Sequence, residues 1–412
     1  MDTTAEQPRG EKPAEESPTD FKVIGLIGVA HFFSHFYIYL IPPLFPILKE
    51  ALDVSYTELG LLMAVFSGTT GLTQTPFGFL VDRFGARAIL IGGLAIEGLA
   101  FSLLGLVDGY AAMMALMVVA GCANGVYHPA DYAILSASVS GRRMGRAFSL
   151  HTFAGNAGFA IAPPVIVLLS GLIGWRNGLA LCGVAGIGTA ILLMAYARIF
   201  RDVKTDGPAK KAGGRPTRPG PGVALLLSPP ILICLLFFTL LALGSAGIAS
   251  FIIVALGQLH EIEVQVATFA LTTYLVASSV GVLLGGFVAD RTTRHNLVAA
   301  TCFLSTAAMI AAIGAFAMPV FLMIVLMIAQ GLMHGMIMPS RDMIVRSVTP
   351  DGAFGKVFGF VTTGFSIGGI IAPPVFGWIL DQSRPEWVFY GVAAIMLCSM
   401  ATVFTSGRRL TS

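Results

Sequence analysis

The feature that most constrains this chain is a succession of apolar runs, each about long enough to cross a bilayer. A membrane-spanning helix needs roughly 20 predominantly apolar residues. Twelve such runs lie near 22–48, 57–80, 88–107, 110–134, 145–171, 176–198, 225–257, 264–289, 297–317, 319–344, 354–380 and 387–405. The joints are turn signals or charge clusters, among them Asp82-Arg-Phe-Gly85, Asp108-Gly109, Gly174-Trp-Arg176 and Met318-Pro319. Charged residues make up 11% of the chain, against about 25% in soluble domains, so lipid is the expected solvent for most of the surface. Backbone in lipid must satisfy its own hydrogen bonds, which for runs of this length means helices. The expected fold class is an all-α membrane protein with twelve transmembrane helices.

One long polar break, Arg198 to Gly222, is rich in Lys, Arg, Pro and Gly and reads as a linker. The expected organisation is a polar tail at 1–21, a six-helix bundle at 22–198, a linker at 199–224, a second bundle at 225–405 and a short tail at 406–412. The first 20 residues lack an apolar core and are not a signal peptide. With both termini inside, only Lys49, Arg176 and Arg384 fall in outer loops, leaving 22 of the 25 basic residues on the inner side. That asymmetry is the positive-inside pattern and predicts cytoplasmic termini. The five cysteines stand singly in apolar runs, without pairing or metal-ligand spacing.

The two halves are related in sequence. Shifted by 210 positions, Gly121…Val165 overlies Gly331…Val375 without a gap. The matched positions include Gly125 with Gly335, Pro129 with Pro339, Gly158 with Gly368, and Ile161-Ala-Pro-Pro-Val165 with Ile371-Ala-Pro-Pro-Val375. Parallel six-helix repeats are one architecture of secondary transporters. The pairs Pro163-Pro164 and Pro373-Pro374 are expected to break segments 5 and 11, and Pro42-Pro43 to break segment 1 near its outer end.

The stretch Gly78-Phe-Leu-Val-Asp-Arg-Phe-Gly-Ala-Arg87 resembles the signature loop between helices 2 and 3 of the major facilitator superfamily. A weaker copy, Gly286–Arg294, stands between segments 8 and 9, as in that family. Two departures are visible: Ala86 replaces the usual basic residue, and Arg291-Thr-Thr-Arg294 lacks the loop glycine. The resemblance covers residues 22–405 and implies two pseudo-symmetric six-helix bundles, the major facilitator fold. A second resemblance, to the fosmidomycin-resistance group of exporters, rests on His31, Val126-Tyr-His-Pro129 and Gly155-Asn-Ala-Gly158. His35 stands where that group carries an acid.

Ionisable residues inside a membrane are costly and usually face a cavity or pathway. His31 and His35 lie four apart, on one helix face with Ser34 alongside, and histidine titrates near neutral pH. A cavity-lining, proton-carrying pair is one reading; two neutral histidines bonded to neighbouring helices is the other. Asn124 and His334 are repeat mates, with Gln330 one turn from His334; either cavity lining or plain interhelical bonding would explain them. Tyr127, His128, Asn156 and Tyr274 complete the candidates for binding or coupling; Asn156 and Tyr274, like His151, Gln74 and Ser366, could line the cavity, but taken singly each reads as structural. Nearer the inner face, Asp82, Arg83, Arg87, Asp131, Asp290, Arg341 and Asp342 are candidate gating charges or ordinary helix-end charges. The family resemblance implies that such a network holds the outward-facing state. Glu97, in mid-segment 3, must be protonated, paired or turned inward.

The sequence shows no P-loop, nucleophile constellation or metal-ligand motif, so the chain is not expected to be an enzyme or to carry a cofactor or metal. Nor is nucleic-acid binding expected. The energy source must be a gradient. The expectation is a monomeric secondary transporter in a bacterial inner membrane, moving a small organic solute by alternating access with proton-coupled efflux. An uptake symporter for an organic anion, with Arg341 as carboxylate partner, is the alternative. A non-transporting sensor would not need residues 31, 35, 124 and 334 at mid-membrane.

Overall fold

The computed structural model describes residues 18–201, 223–350 and 353–407, so most of the expected tails and linker lie outside the described residues. Twelve helical rods follow one another. We number them α1 (Pro18–Ile38, continued by Phe45–Leu52), α2 (Tyr56–Phe84), α3 (Ala86–Leu104), α4 (Tyr110–Asn124, continued by Tyr127–Ser138), α5 (Met144–Ile173) and α6 (Trp175–Ala195). After the four-residue helix Val223–Leu226 come α7 (Pro229–His260), α8 (Val264–Arg291), α9 (His295–Ala315), α10 (Val320–Val348), α11 (Phe354–Asp381) and α12 (Glu386–Gly407).

Eleven of the rods are long and apolar enough to cross a membrane; α2 is not among them, although it is 29 residues long. Its middle carries Ser67, Thr69, Thr70, Thr73, Gln74 and Thr75. The hydroxyls of Thr69, Thr70 and Thr73 bond back to their own helix, and those of Thr70 and Thr73 also reach the carbonyls of Gly121 and Cys122 on α4. The helix lies between α4 and α11; Thr70 and Thr73 tie it to α4, while Gln74 and Thr75 are exposed.

The proline expectations divide. Pro42-Pro43 does interrupt α1, through a 3-10 turn at Pro42–Leu44. By contrast α5 and α11 run unbroken through Pro163-Pro164 and Pro373-Pro374, because an interior proline removes one ladder bond that packed neighbours can compensate. The unexpected break is in α4 at Gly125-Val126. It lies one turn before Pro129, whose ring crowds the carbonyl four residues back.

Packing repeats the internal symmetry. In the first half α1 packs on α5, α2 on α4 and α3 on α6; in the second, α7 packs on α11, α8 on α10 and α9 on α12. The halves meet along α2 with α11 and α5 with α8. At the end of the molecule away from the termini the α2–α11 seam is tight. A Cβ on Gly60 would strike the Pro373 carbonyl, and one on Gly377 the backbone of Tyr56. Missing side chains let two backbones touch, the usual device where lipid offers helices no hydrophobic drive to associate.

Candidate functional site

Three helices of the first half converge near the middle of the α1 run. From α1 come His31, Ser34 and His35; from the second segment of α4, Tyr127, His128 and Asp131; from α5, His151. Asp131 is fully buried, and its Oδ2 lies 3.1 Å from His31 Nδ1 and 3.0 Å from His151 Nε2. The His31 and His151 rings stack at 3.6 Å between centroids. His35 and His128, both half-buried, stand 4.5 and 5.3 Å from the His31 ring. Two neutral imidazoles can each donate an N–H to Oδ2, yet the carboxylate charge then stays uncompensated. Its Oδ1 has no hydrogen-bond partner, nor has His35 Nδ1. A buried carboxylate without a counter-charge is strongly disfavoured, so a positive charge placed within this cluster would be stabilised.

The Gly155-Asn-Ala-Gly158 run explains how four rings fit. A Cβ on Gly155 would lie 2.8 Å from His35 Cε1 and Nδ1 and 2.9 Å from His31 Cδ2, and one on Gly158 would strike the Phe32 carbonyl. Both glycines open the α5 surface to α1 at the level of the histidines. Asn156, between them, is half-buried and outside the cluster.

Beside this cluster lies a second network. Glu97 on α3 is fully buried and accepts from Tyr127 Oη at 2.6 Å and Asn124 Nδ2 at 2.9 Å. Asn124 also donates to the Ser34 carbonyl at 3.1 Å. Three helices, α1, α3 and α4, are thereby joined, and the mid-helix acid has its partners.

The second half supplies a sparser polar group. His334, repeat mate of Asn124, has Nε2 3.3 Å from Ser245 Oγ, and its ring lies 5.9 Å from that of Tyr274. Gln330 is fully buried, with neither amide atom hydrogen-bonded. Arg341, repeat mate of Asp131, bonds its neighbour Asp342 at 2.8 Å and stacks over Phe238 at 4.6 Å.

Of the expected gating charges, Asp82, Arg83 and Asp290 are exposed at the ends of α2 and α8, and Arg87 donates to the Ala197 carbonyl at 3.1 Å. Gly85, at the α2–α3 joint, has φ +91°, a conformation that favours glycine; Thr292 in the weaker copy has φ −132° and needs none. Asp131 stands apart from these charges, inside the histidine cluster. The reading of single residues undervalued His151, whose signal was its place four residues before Gly155 on the face turned to α1. It also passed over Asp381, the last residue of α11, which accepts from the Tyr56 and Thr57 backbone N–H groups of α2.

Two parallel six-helix groups, meeting along α2–α11 and α5–α8 around buried polar residues, define the class of polytopic secondary transporters. The Major Facilitator Superfamily profile matches residues 27–260 and 235–410, and the chain belongs to that family. It is a membrane transporter of a small solute, not an enzyme. Among its relatives, the fosmidomycin resistance protein of Escherichia coli (strain K12) is 25% identical over 408 residues, covering 95% of this chain and 94% of that protein. The hexuronate transporter of Bacillus subtilis (strain 168) is 21% identical over 88% of this chain and 87% of its own. A crystal structure of a bacterial homolog of the human lysosomal transporter Spinster, inward-facing and unoccupied, superposes with a TM-score of 0.78. The match covers 95% of this chain and 98% of that one at 13% identity, a likeness of fold alone.

Proposed function

We propose that this chain exports a small organic solute in exchange for protons, from a bacterial inner membrane, as a monomer with both termini cytoplasmic. The observation that supports this reading is Asp131, a fully buried carboxylate held between His31 and His151. Such a group must take up a positive charge when sealed from water and can release it when the cavity opens to the other side. In this reading His35 and His128, half-buried beside it, pass the proton to and from the cluster. Ser34, Asn124, Tyr127 and Asn156 on one half, with Tyr274, Gln330 and His334 on the other, are the binding residues in this reading. The halves rock across their two seams, and Asp82, Arg83, Arg87, Asp290, Arg341 and Asp342 serve the inner gate. Full-length similarity to a fosmidomycin resistance protein favours export.

Everted membrane vesicles with an acid interior test the proposal, with fosmidomycin as probe. Adding it should dissipate the pH gradient in vesicles carrying the protein and not in vesicles without it. The His31→Gln, His35→Gln double variant should bind and exchange the probe yet leave the gradient intact. Proton movement at the wild-type ratio in that variant would make the histidines structural.

A further inference from the structure

We propose that His31, Asp131 and His151 form a binding site for one divalent first-row transition metal ion, of which zinc is the type. The site is the one used in the transport reading above, but the proposal depends on neither the direction nor the coupling of transport.

The donor atoms, one from each residue, all lie within 4.8 Å of one another. Two of the three separations are 3.1 and 3.0 Å, both at Asp131 Oδ2. A tetrahedral zinc ion with bonds of about 2.0–2.1 Å holds its donors roughly 3.3 Å apart, so the two separations at Asp131 need to widen by only a few tenths of an ångström, while the two histidine donors, within 4.8 Å of each other, draw in to the same spacing. Two imidazoles and one carboxylate, with a position left open, is a donor set used by zinc and other divalent first-row metals. Magnesium and calcium call for six or more oxygen donors, which this set does not offer.

Asp131 is the second and independent indication. It is fully buried, and Oδ1 is turned into the protein without any hydrogen-bond partner. Buried polar atoms are nearly always satisfied, and an anionic one even more so. A divalent cation would neutralise the carboxylate and use the imidazole lone pairs without placing a proton on either ring. His35 stands beside the donor set, its ring 4.5 Å from that of His31 and its own buried Nδ1 unpartnered. The three donors sit on three different packed helices, with Gly155 clearing space for the rings. That framework holds ligands in place before an ion arrives, the condition a precise metal site requires.

The experiment uses the full chain purified without a polyhistidine tag, stripped with a chelator and titrated with Co²⁺ in detergent. One cobalt per chain is expected, with the visible absorption of a four- or five-coordinate ion, displaced by Zn²⁺. Asp131→Asn and His151→Gln should each weaken binding by at least the roughly 10- to 100-fold that loss of a mere outer partner costs. Because a buried substitution can upset folding, the zinc-loaded wild-type chain gives the second measurement. Its X-ray absorption spectrum should fit two imidazole nitrogens and a carboxylate oxygen at about 2.0–2.1 Å. Absence of stoichiometric binding, unchanged affinity in both variants, or a zinc shell without imidazole would each overturn the proposal. Transport is measured separately, so failure of coupling and failure of metal binding give different results.

Discussion

Thr57 and Asp381, 324 residues apart in sequence, join the two halves: Thr57 donates to Asp381 Oδ2 from its backbone N–H at 2.9 Å and from its hydroxyl at 2.6 Å. The other carboxylate oxygen takes the Tyr56 N–H at 2.8 Å, and Lys49 Nζ lies 4.0 Å away. A carboxylate at a helix N-terminus faces the positive end of the dipole, and its bonds are charge-assisted. Ser55 and Glu58 form a capping box that satisfies the next donors of the same helix. The start of α2 is therefore fully capped only while α11 is docked on it.

Replacing Asp381 by Asn should loosen this end of the molecule. Hydrogen bonds to a charged group contribute about 1.5–3 kcal/mol, and each 1.4 kcal/mol is about tenfold in a population. Spin labels at Asp108 and Ala317, in a background without native cysteines, should show a long-distance population at least about tenfold enriched. An unchanged distance distribution would remove Asp381 as a latch.

At Glu97 the test is one of stability. Glu97→Ala leaves the Tyr127 hydroxyl and the Asn124 amide without their buried acceptor. Interhelical hydrogen bonds in membranes contribute roughly 0.6–2 kcal/mol each, so the melting temperature in detergent should fall by several degrees, while Glu97→Gln stays close to wild type. Equal melting of the two variants would mean that the network contributes little.

Gly155→Ala should abolish coupled transport while the chain still reaches the membrane. Its Cβ would displace the His31 and His35 rings, an overpacking that costs about 1–3 kcal/mol. Gly171, on the same helix, has nothing within 4 Å of the added carbon, and Gly171→Ala is the matched control. Wild-type dissipation of the pH gradient by Gly155→Ala would separate ring placement from coupling.

Orientation is open to a direct check. A reporter joined after Ser412, or placed between 202 and 222, should read cytoplasmic, given the 22 basic residues assigned to that side. A reading from the opposite face at either position would reverse the topology.

Much of the architecture could be read from the chain before any coordinates, because lipid forces long apolar runs into helices and a duplicated run carries its packing with it. Gly125 and Gly335, Pro129 and Pro339, and the two Ala-Pro-Pro-Val runs declared the two halves, and the contacts of α2 with α4 and α8 with α10 repeat as that relation requires. Local chemistry misled at the prolines: the pairs of α5 and α11 break nothing. The rod α2, too polar to be counted a membrane span by composition, packs along the seam between the halves. In both, neighbouring helices supply what the local sequence lacks.

The functional core was legible only in fragments. His31 and His35 declared themselves because two ionisable groups in one apolar run are costly enough to need a reason. Their partners lie 100 and 120 positions further on, and helix periodicity relates residues within one helix, never the rotation of one helix against another. Asp131, next to other charges in the pattern, looked like a member of a helix-end group; the rotation of α4 turns it inward onto two rings. Glu97 could be protonated, paired or turned inward by its place in the sequence, and only the meeting of α3 with α4 gives it Tyr127 and Asn124 as partners. The chain by itself thus determined the number of long helices, their pairing into halves and the cost of each polar residue placed within them. Only the packing decided which polar residues share a site, since side chains on separate helices meet through the angle, depth and rotation at which small residues let those helices touch.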